Sequence, residues 1–174
     1  MEIRPLRETD DRTVFRSGDP DLDGFFARYA GQNQFRLHLG TTYVAVEGDR
    51  VRGFATVAAG NIEGDALPEI ARRGLPRYPV PVLRLARLAV DESVQGRGMG
   101  NALVRHVFRL ALKMSEEYGC VGIVVDSKPD AVEFYTRVGF SPLEISEGQI
   151  ESRPRPSPLF LPLDLIALSR PSRS

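Results

Sequence analysis

The sequence predicts one α/β domain in which helices flank a mixed β-sheet. The length of 174 residues and the balance of 23 basic against 23 acidic side chains indicate one globular domain, and the alternation of strand and helix patterns indicates its α/β class. A domain of this size buries roughly 68–70% of the surface that its unfolded chain exposes, so neither disulfides nor a structural metal are needed. We expect residues 1–168 to form the domain and residues 169–174 to form a disordered tail.

The N-terminal half combines short strands with one capped helix. In Gly18-Asp19-Pro20 a capping carboxylate precedes a proline at the first helical position, which predicts a helix that ends near Gly31. Two alternating β-branched segments flank Gly48-Asp49-Arg50, a pattern that is typical of a β-hairpin. The elements predicted for this half are a strand at 2–6, a helix at 20–31, strands at 41–47 and 51–59, and a short helix at 65–73.

The C-terminal half centres on an apolar strand and a long amphipathic helix. The segment Val82–Val90 is too apolar for an exposed edge, so we expect a central strand. In the next helix Leu103 and Val107 face one way and Arg105 and Arg109 the other, which predicts packing on a sheet. The remaining predicted elements are this helix at 100–118, a strand at 120–125, a short helix at 129–137, and strands at 140–145 and 159–168.

Composition argues against several classes of protein. The single cysteine excludes an internal disulfide, and the two histidines provide no Cys/His set with the spacing of a zinc site. The N-terminus lacks the apolar segment of a signal peptide, and no apolar run approaches the roughly 18 residues that span a bilayer. We therefore expect a cytoplasmic protein without a bound metal and without a membrane partner.

A glycine-rich loop lies between the central strand and the long helix, with glycines at Gly96, Gly98 and Gly100. Because glycine has no Cβ, the backbone can turn tightly and direct successive N–H groups into one concavity at a helix N-terminus, where the helix dipole favours an anion. The loop therefore indicates a pyrophosphate cradle. Its spacing differs from that of the Walker loop and of the dinucleotide motif. Taken alone, the loop is equally compatible with a tight connection that binds no ligand.

A second motif follows further along the chain, in Glu133-Phe134-Tyr135 and Val138-Gly139-Phe140. Together with the Gln-x-x-Gly-x-Gly that begins at Gln95, this motif resembles the GNAT acyl-CoA N-acyltransferases over nearly the whole chain. The resemblance implies a mostly antiparallel sheet with a splayed central strand pair. It also implies acetyl-CoA as the cosubstrate and transfer of its acetyl group to a primary amine.

The resemblance further implies which residues hold the cosubstrate. In the family, the central strand contacts the pantetheine arm and the backbone amides of the glycine-rich loop hold the pyrophosphate. The implied pantetheine contacts are Leu88, Ala89 and Val90, and the implied pyrophosphate contacts are Gln95, Gly96, Arg97, Gly98, Met99, Gly100 and Asn101.

Tyr135 is the catalytic residue that the resemblance implies. The family places a tyrosine here to protonate the coenzyme A thiolate as it leaves. A phenol with its ordinary pKa of ~10 is protonated at neutral pH and can donate this proton. The alternative is that Phe134 and Tyr135 are an aromatic pair that packs the short helix on the sheet. We expect Phe134 to have the packing role and Tyr135 the catalytic one.

No general base is obvious in the sequence. Asp126 and Glu63 are candidates, although a solvated or helix-capping role is the commoner one for such residues. The absence of a clear base favours an α-amine as the acceptor. An α-amine with a pKa of about 7.7–8.0 is substantially neutral at pH 7, whereas a lysine amine with a pKa of about 10.4 must lose a proton.

The segment from Ile70 to Val90 contains no acidic residue and several arginines, which are Arg72, Arg73, Arg77, Arg84 and Arg87. Such a cluster can neutralise the phosphates of a nucleic acid. The alternative is that it reflects the general use of arginine, which provides 21 of the 23 basic residues. Side chains alternate along a strand, so we predict a β-bulge between Arg84 and Val90 that brings Arg84 and Arg87 to one face.

Several segments add a narrower resemblance, to the bacterial GNAT toxins that acetylate the α-amine of aminoacyl-tRNA. These segments are Phe15–Leu22, Gln32–Gln34, Gly74–Val82 and Leu85–Asp91. The resemblance implies aminoacyl-tRNA as the substrate, a ribbon-helix-helix antitoxin as a partner, and tRNA contacts at Arg77, Arg84 and Arg87. A homodimer is a further possibility.

Two other hypotheses stay open. One is a GNAT enzyme that acetylates a small amine or a protein N-terminus. The other is a GNAT-like module that binds coenzyme A without turnover, against which the intact glycine-rich loop and Tyr135 both argue.

Overall fold

The computed structural model describes residues 1–67, 69–72, 74–143 and 157–168. Its strands are β1 Glu2–Pro5, β2 Thr41–Glu47, β3 Arg50–Ile62, β4 Val80–Val90, β5 Gly122–Ser127, β6 Ser141–Pro142 and β7 Ser157–Pro162. Its α-helices are α1 Pro20–Arg28, α2 Glu69–Arg72, α3 Met99–Glu117, α4 Val132–Arg137 and α5 Leu163–Leu168. The α/β class with a mostly antiparallel sheet and flanking helices is confirmed.

These elements belong to two compact units. The first comprises Met1–Ala58 and Leu85–Arg109, and the second comprises Ala59–Arg84 and Leu110–Ser174. Strands β3 and β4 and helix α3 therefore each contribute residues to both units. The central strand pair is predicted to splay, and this stays a prediction.

In the first unit the strands follow the order β1-β2-β3-β4. Antiparallel pairing places Ile3 opposite Ala45 and Ala45 opposite Gly53. The predicted hairpin between β2 and β3 is confirmed, and Gly48 in its turn has a φ of 60°. That left-handed conformation suits glycine, which has no Cβ to clash with the backbone.

An aromatic cluster forms the core on one face of this sheet. Phe26 stacks on Phe54 with ring centroids 4.5 Å apart, and Phe15 lies edge-on to Phe54 at 5.4 Å. The cluster also buries Phe25 and Val44. Aromatic pairs of this kind contribute about 0.5–1.5 kcal/mol each beyond the burial of their surface. The cluster thus fixes α1 and the segment before it on the sheet.

The opposite face of this sheet packs against α3. Tyr43, Ala45 and Gly53 share this face, because paired residues and residues two apart point the same way. A Cβ on Gly53 would lie 3.0 Å from Leu103 Cδ1 and 3.2 Å from Met99 Sδ. The missing side chain therefore lets the start of α3 approach the sheet closely.

In the second unit the order is β3-β4-β5-β7-β6. β5 pairs antiparallel with β7, from Gly122 opposite Pro162 to Ser127 opposite Ser157. A Cβ on Gly122 would collide with the carbonyl oxygen of Leu161, so glycine is required at this pairing. Val124 and Phe160 are buried together in the core of this unit.

The predicted strand at 159–168 is wrong in its second half. β7 ends at Pro162 and α5 occupies Leu163–Leu168. Pro162 has no N–H group to continue the ladder, and the Leu163 N–H donates to the carbonyl of Val121 at 3.0 Å instead. The predicted tail at 169–174 and the predicted strand residues 144–145 lie outside the described residues.

Two further segments differ from the predictions. The helix expected at 65–73 is divided into a 3₁₀ helix at Gly64–Ala66 and α2. A proline follows Leu67 in the sequence and disfavours helical backbone there, and Leu67 is extended with a ψ of 148°. The helix predicted to end near Gly31 ends at Arg28, and a π-helix follows at Gln32–Arg36.

Within the described part of the chain, none of the helices combines the length and the apolar character that a bilayer-spanning helix requires.

Candidate functional site

The glycine-rich loop of the first unit connects β4 to α3 in a left-handed conformation. Gly96 has a φ of 78° and Gly98 a φ of 82°, values that side-chain-bearing residues rarely adopt. No described atom lies within 4 Å of a Cβ built on either glycine, so the loop is open on that side. This conformation and this open space are what close approach of a ligand to the backbone requires.

The loop ends where α3 exposes unpaired donors. The first helical hydrogen bond runs from the Ala102 N–H to the carbonyl of Gly98 at 3.0 Å. The N–H groups of Met99, Gly100 and Asn101 precede that bond and have no partner inside the helix. They lie at the positive end of a 19-residue helix, the kind of position that binds phosphate.

The loop residues differ in what they can offer a ligand. Arg97 and Asn101 are exposed, whereas the Met99 side chain is buried and leaves only its N–H available. Gly100 lies in the first turn of α3 with ordinary helical backbone. The need for a left-handed backbone therefore applies to Gly98 and not to Gly100.

Gln95 has a positioning role that the sequence did not indicate. Its side-chain Nε2 donates to the carbonyl of Ser17 at 2.8 Å and to the carbonyl of Val90 at 2.9 Å. The amide thus ties the glycine-rich loop to the segment before α1 across 78 residues of sequence. A backbone contact of Gln95 with pyrophosphate stays a prediction.

Asp91 reinforces the same junction. Its carboxylate accepts hydrogen bonds from the Arg16 N–H at 3.1 Å and from the Ser93 N–H and hydroxyl at 3.0 and 2.6 Å. Burial acts to raise the pKa of Asp91, but these hydrogen bonds outweigh it and the pKa is lowered. The carboxylate is therefore ionised at neutral pH and holds the segment before α1 in place.

The residues predicted to contact pantetheine lie at the end of β4 in the first unit. Ala89 is buried, and Leu88 and Val90 are half-buried. Their role as contacts stays a prediction.

Tyr135 lies in α4 of the second unit and is buried, with 5% of its surface exposed. Its ring packs edge-on to Phe140 at 5.5 Å and to Phe134 at 5.1 Å. Burial raises the pKa of Tyr135, which keeps the phenol protonated. No described residue hydrogen-bonds its hydroxyl. The ring therefore packs against both phenylalanines, and the catalytic role of the hydroxyl stays a prediction.

The arginines predicted to contact tRNA differ in their surroundings. Arg87 places its guanidinium 3.9 Å from the centroid of the Phe25 ring in the first unit, and burial lowers its pKa. In the second unit Arg84 Nη1 donates to Asp126 Oδ2 at 3.0 Å, while Arg77 is exposed. The predicted β-bulge between Arg84 and Val90 stays a prediction.

The arginine-rich segment contains no acidic residue in its own sequence, but acidic residues from other parts of the chain lie beside its arginines. Besides the Asp126 partner of Arg84, two acidic residues lie with Arg77 in a cavity of about 420 Å³. This cavity is lined by Gly64, Asp65, Glu69, Arg72, Leu75, Pro76 and Arg77. Acids that precede the segment therefore offset part of its positive charge.

The candidate bases are placed as follows. Asp126 is half-exposed and engaged by Arg84, and Glu63 is exposed just before the 3₁₀ helix. No group of three or more His, Cys, Asp or Glu residues in the described ranges has the arrangement of a metal site.

Comparison with known proteins identifies the family. Residues 38–142 match the model of the acetyltransferase (GNAT) domain, and this match covers the strands β2 to β5, helix α3 and helix α4. The chain is a GNAT acetyltransferase.

Relatives and solved structures of this GNAT acetyltransferase include bacterial toxins. The tRNA-acetylating toxin of Mycobacterium tuberculosis is 35% identical over 138 residues, which cover 79% of this chain and 82% of the toxin. The structure of AtaT complexed with acetyl-methionyl-tRNAfMet has a TM-score of 0.81 at 27% identity, with 96% of this chain and 97% of that chain covered.

Two other structures add ligands and partners of the AtaT toxin. AtaTR bound with acetyl-CoA has a TM-score of 0.76 at 27% identity, with 96% of both chains covered. A tyrosine-to-phenylalanine variant of AtaT bound to the C-terminus of the antitoxin AtaR has a TM-score of 0.76 at 25% identity and the same coverage.

From the two hydrogen bonds of the Gln95 side chain we predict how their removal changes the stability of the protein. Gln95→Met keeps the length of the side chain but has no donor, so both bonds to Ser17 and Val90 are lost. We expect the free energy of unfolding, measured in urea, to fall by about 1–3 kcal/mol. Amide exchange of residues 15–18 should also accelerate. Gln32→Met, at an exposed position, is the control and should change neither; equal effects of both substitutions would contradict the role of Gln95.

Proposed function

We propose that this GNAT acetyltransferase is a toxin that transfers the acetyl group of acetyl-CoA to the α-amine of an aminoacyl-tRNA and thereby blocks translation. The observation that carries the proposal is the 35% identity to the tRNA-acetylating toxin over 79% of the chain. The AtaT complex with an acetylated methionyl-tRNA supports it, because the TM-score of 0.81 extends over 96% of this chain.

The glycine-rich loop is proposed to hold the pyrophosphate of acetyl-CoA. The unpaired N–H groups at the start of α3 would donate to its oxygens, and the exposed Arg97 would add a charged partner. Leu88, Ala89 and Val90 are proposed to bond the pantetheine arm. The open space at Gly96 and Gly98 supports the pyrophosphate assignment, because a Cβ at either position would occupy this space.

Tyr135 is proposed to act as the general acid. The acceptor nitrogen forms a bond to the thioester carbon, the carbon–sulfur bond breaks, and Tyr135 donates its proton to the departing sulfur. Burial raises the pKa of the phenol, so its proton is present throughout the neutral range. The AtaT–AtaR complex holds a tyrosine-to-phenylalanine variant of that toxin.

The acceptor is proposed to be an α-amine because the candidate bases are poorly suited to deprotonate a lysine. Asp126 is engaged by Arg84 and Glu63 is exposed. An α-amine with a pKa of about 7.7–8.0 needs only water to accept its proton at pH 7.

We also infer an antitoxin partner of the ribbon-helix-helix class and a homodimer. The AtaT complex with the C-terminus of AtaR supports a protein partner. A short gene for a ribbon-helix-helix protein next to the gene of this protein would support its class, and light scattering of the purified protein tests the homodimer.

One observation favours a second candidate, an enzyme that acetylates a small amine or a protein N-terminus. Acidic residues accompany two of the arginines predicted to contact tRNA, Arg84 and Arg77, which weakens the local positive potential. Transfer of labelled acetyl groups from acetyl-CoA separates the two functions. Acetylation of charged tRNA, with free amino acids, polyamines and N-terminal peptides unmodified, is expected; the reverse pattern would establish the second candidate.

From the left-handed backbone of Gly98 we predict how a side chain at this position changes the affinity for acetyl-CoA. In Gly98→Val the side chain enters the open space and the φ of 82° becomes strained. We expect the dissociation constant for acetyl-CoA, measured by calorimetry, to rise at least tenfold, about 1.4 kcal/mol. Gly48→Val, which strains another left-handed glycine in a hairpin turn, controls for strain alone and should leave the affinity unchanged. Unchanged affinity in folded Gly98→Val would remove the loop from the site.

If the hydroxyl of Tyr135 is the general acid, its removal should lower kcat without changing the affinity for acetyl-CoA. Tyr135→Phe keeps the packing of the ring but removes the proton, so kcat should fall by roughly 10²–10⁴-fold. The affinity for acetyl-CoA should stay the same. Tyr118→Phe, at a tyrosine that is 85% exposed, should retain full kcat. If Tyr135→Phe keeps more than half of the wild-type kcat, the residue only packs.

The exposure of Arg77 predicts its contribution to tRNA binding. Arg77→Ala should weaken binding of charged tRNA and reduce the slope of log K against log salt by about 0.7–0.9, the value of one phosphate contact. The acetyl-CoA affinity should not change. Arg50→Ala, at the exposed first residue of β3, is the control and should keep the wild-type slope. A salt-independent association would exclude phosphate contacts.

A further inference from the structure

A cavity of about 340 Å³ lies in the first unit beside β1 and α3, apart from the glycine-rich loop residues. We call it the β1–α3 cavity. Its lining residues are Met1, Ile3, Ala102, Arg105, His106 and Arg109. Half of the lining is apolar and half is basic, which is the composition of a site for an anion that carries a carbon group.

The charge of the lining is entirely positive. Alternation along β1 places Glu2 and Arg4 on the face opposite to Ile3, and Arg4 is bound there by Asp10 at 2.8 Å. Ile3 lies on the face that packs against α3, because it pairs with Ala45. The acidic side chain nearest in sequence therefore points away from the cavity.

The two arginines are one helical turn apart and are not neutralised. Neither Arg105 nor Arg109 forms an ion pair with any residue in the described ranges, and both are exposed. Like charges four residues apart on a helix destabilise it. An anion between the two guanidinium groups would turn this repulsion into attraction.

His106 adds a buried polar atom without a partner. Its ring packs against Tyr43 with centroids 4.6 Å apart, which fixes the ring between α3 and β2. Its Nε2 is buried and finds no hydrogen-bond partner among the described residues. Burial, and then the charge of Arg109, lower the pKa of His106, so the ring is neutral at pH 7. An unsatisfied buried polar group destabilises the folded state, and a ligand oxygen can remove this cost.

We propose that the β1–α3 cavity binds a phosphate monoester, with Arg105 and Arg109 holding the phosphate and the Nε2–H of His106 donating to one of its oxygens. A monoester carries a charge of about −1.5 to −2 at pH 7, which matches two arginines. Guanidinium groups suit the geometry of phosphate oxygens. The apolar side chains of Met1, Ile3 and Ala102 then face the carbon group of the ester.

Nuclear magnetic resonance of the histidine rings tests the proposal, because the chain has only two histidines. His38 is exposed outside the cavity and provides the internal control. The full chain is first saturated with dephospho-coenzyme A, which occupies a pyrophosphate site but has no monoester. Glycerol 3-phosphate is then titrated at constant pH and ionic strength, with dimethyl phosphate and acetate as a diester and a carboxylate.

The expected result is a saturable shift of the His106 signals with glycerol 3-phosphate, and no shift of His38. Arg105→Ala and Arg109→Ala should each raise the dissociation constant at least tenfold, whereas Arg28→Ala, at an exposed arginine of α1, should not. Equal shifts with dimethyl phosphate or acetate, or a shift that persists in both arginine variants, would overturn the proposal. So would a His106 signal that does not move.

A second comparison distinguishes the source of the monoester. Coenzyme A carries a phosphate monoester that dephospho-coenzyme A lacks. If coenzyme A shifts His106 and prevents binding of glycerol 3-phosphate, the cosubstrate supplies the phosphate. If glycerol 3-phosphate still binds in its presence, the cavity takes a separate ligand. Both outcomes support a monoester site, and both are independent of whether the protein acetylates tRNA.

Discussion

The left-handed backbone at Gly96 and Gly98 is the constraint on which the candidate site depends. It leads the chain into α3, whose first N–H groups have no partner inside the helix, and it leaves open space at both glycines. A residue with a Cβ would strain this turn and would occupy the open space beside it. Every proposed contact with pyrophosphate follows from this short stretch of backbone.

The turn is held by neighbours that are remote in sequence. Gln95 and Asp91 bind the segment that precedes α1, and the phenylalanine cluster fixes that segment and α1 on the sheet. On the other face, Gly53 leaves room for Leu103 and Met99, so α3 begins at a fixed height above the strands. The small residues of one face and the large rings of the other thus position the same loop.

The contacts of a side chain in the folded protein determine which role it can have, and this applies to the candidate residues that were selected from the sequence. Tyr135 packs its ring as a structural residue does, yet its hydroxyl has no partner in the described ranges, so packing and proton donation are compatible. Arg84 and Arg87 are both occupied, one by a carboxylate and one by an aromatic ring. Arg77, Arg87 and the two arginines of the β1–α3 cavity are exposed.

Local chemistry made much of the fold predictable from the sequence. The hairpin at Gly48, the proline-capped start of α1, the apolar β4 and the amphipathic α3 all follow from residues close together in the chain, since turns, caps and periodicity are local. The glycine-rich loop was visible for the same reason, whereas Tyr135 was selected through the family resemblance of its motif. Tertiary structure alone decided the end of β7, the roles of Gln95 and Asp91, the acidic partner of Arg84, and the unpaired Nε2 of His106. Each of these depends on hydrogen bonds, charges or burial between residues far apart in sequence, which only folding brings together.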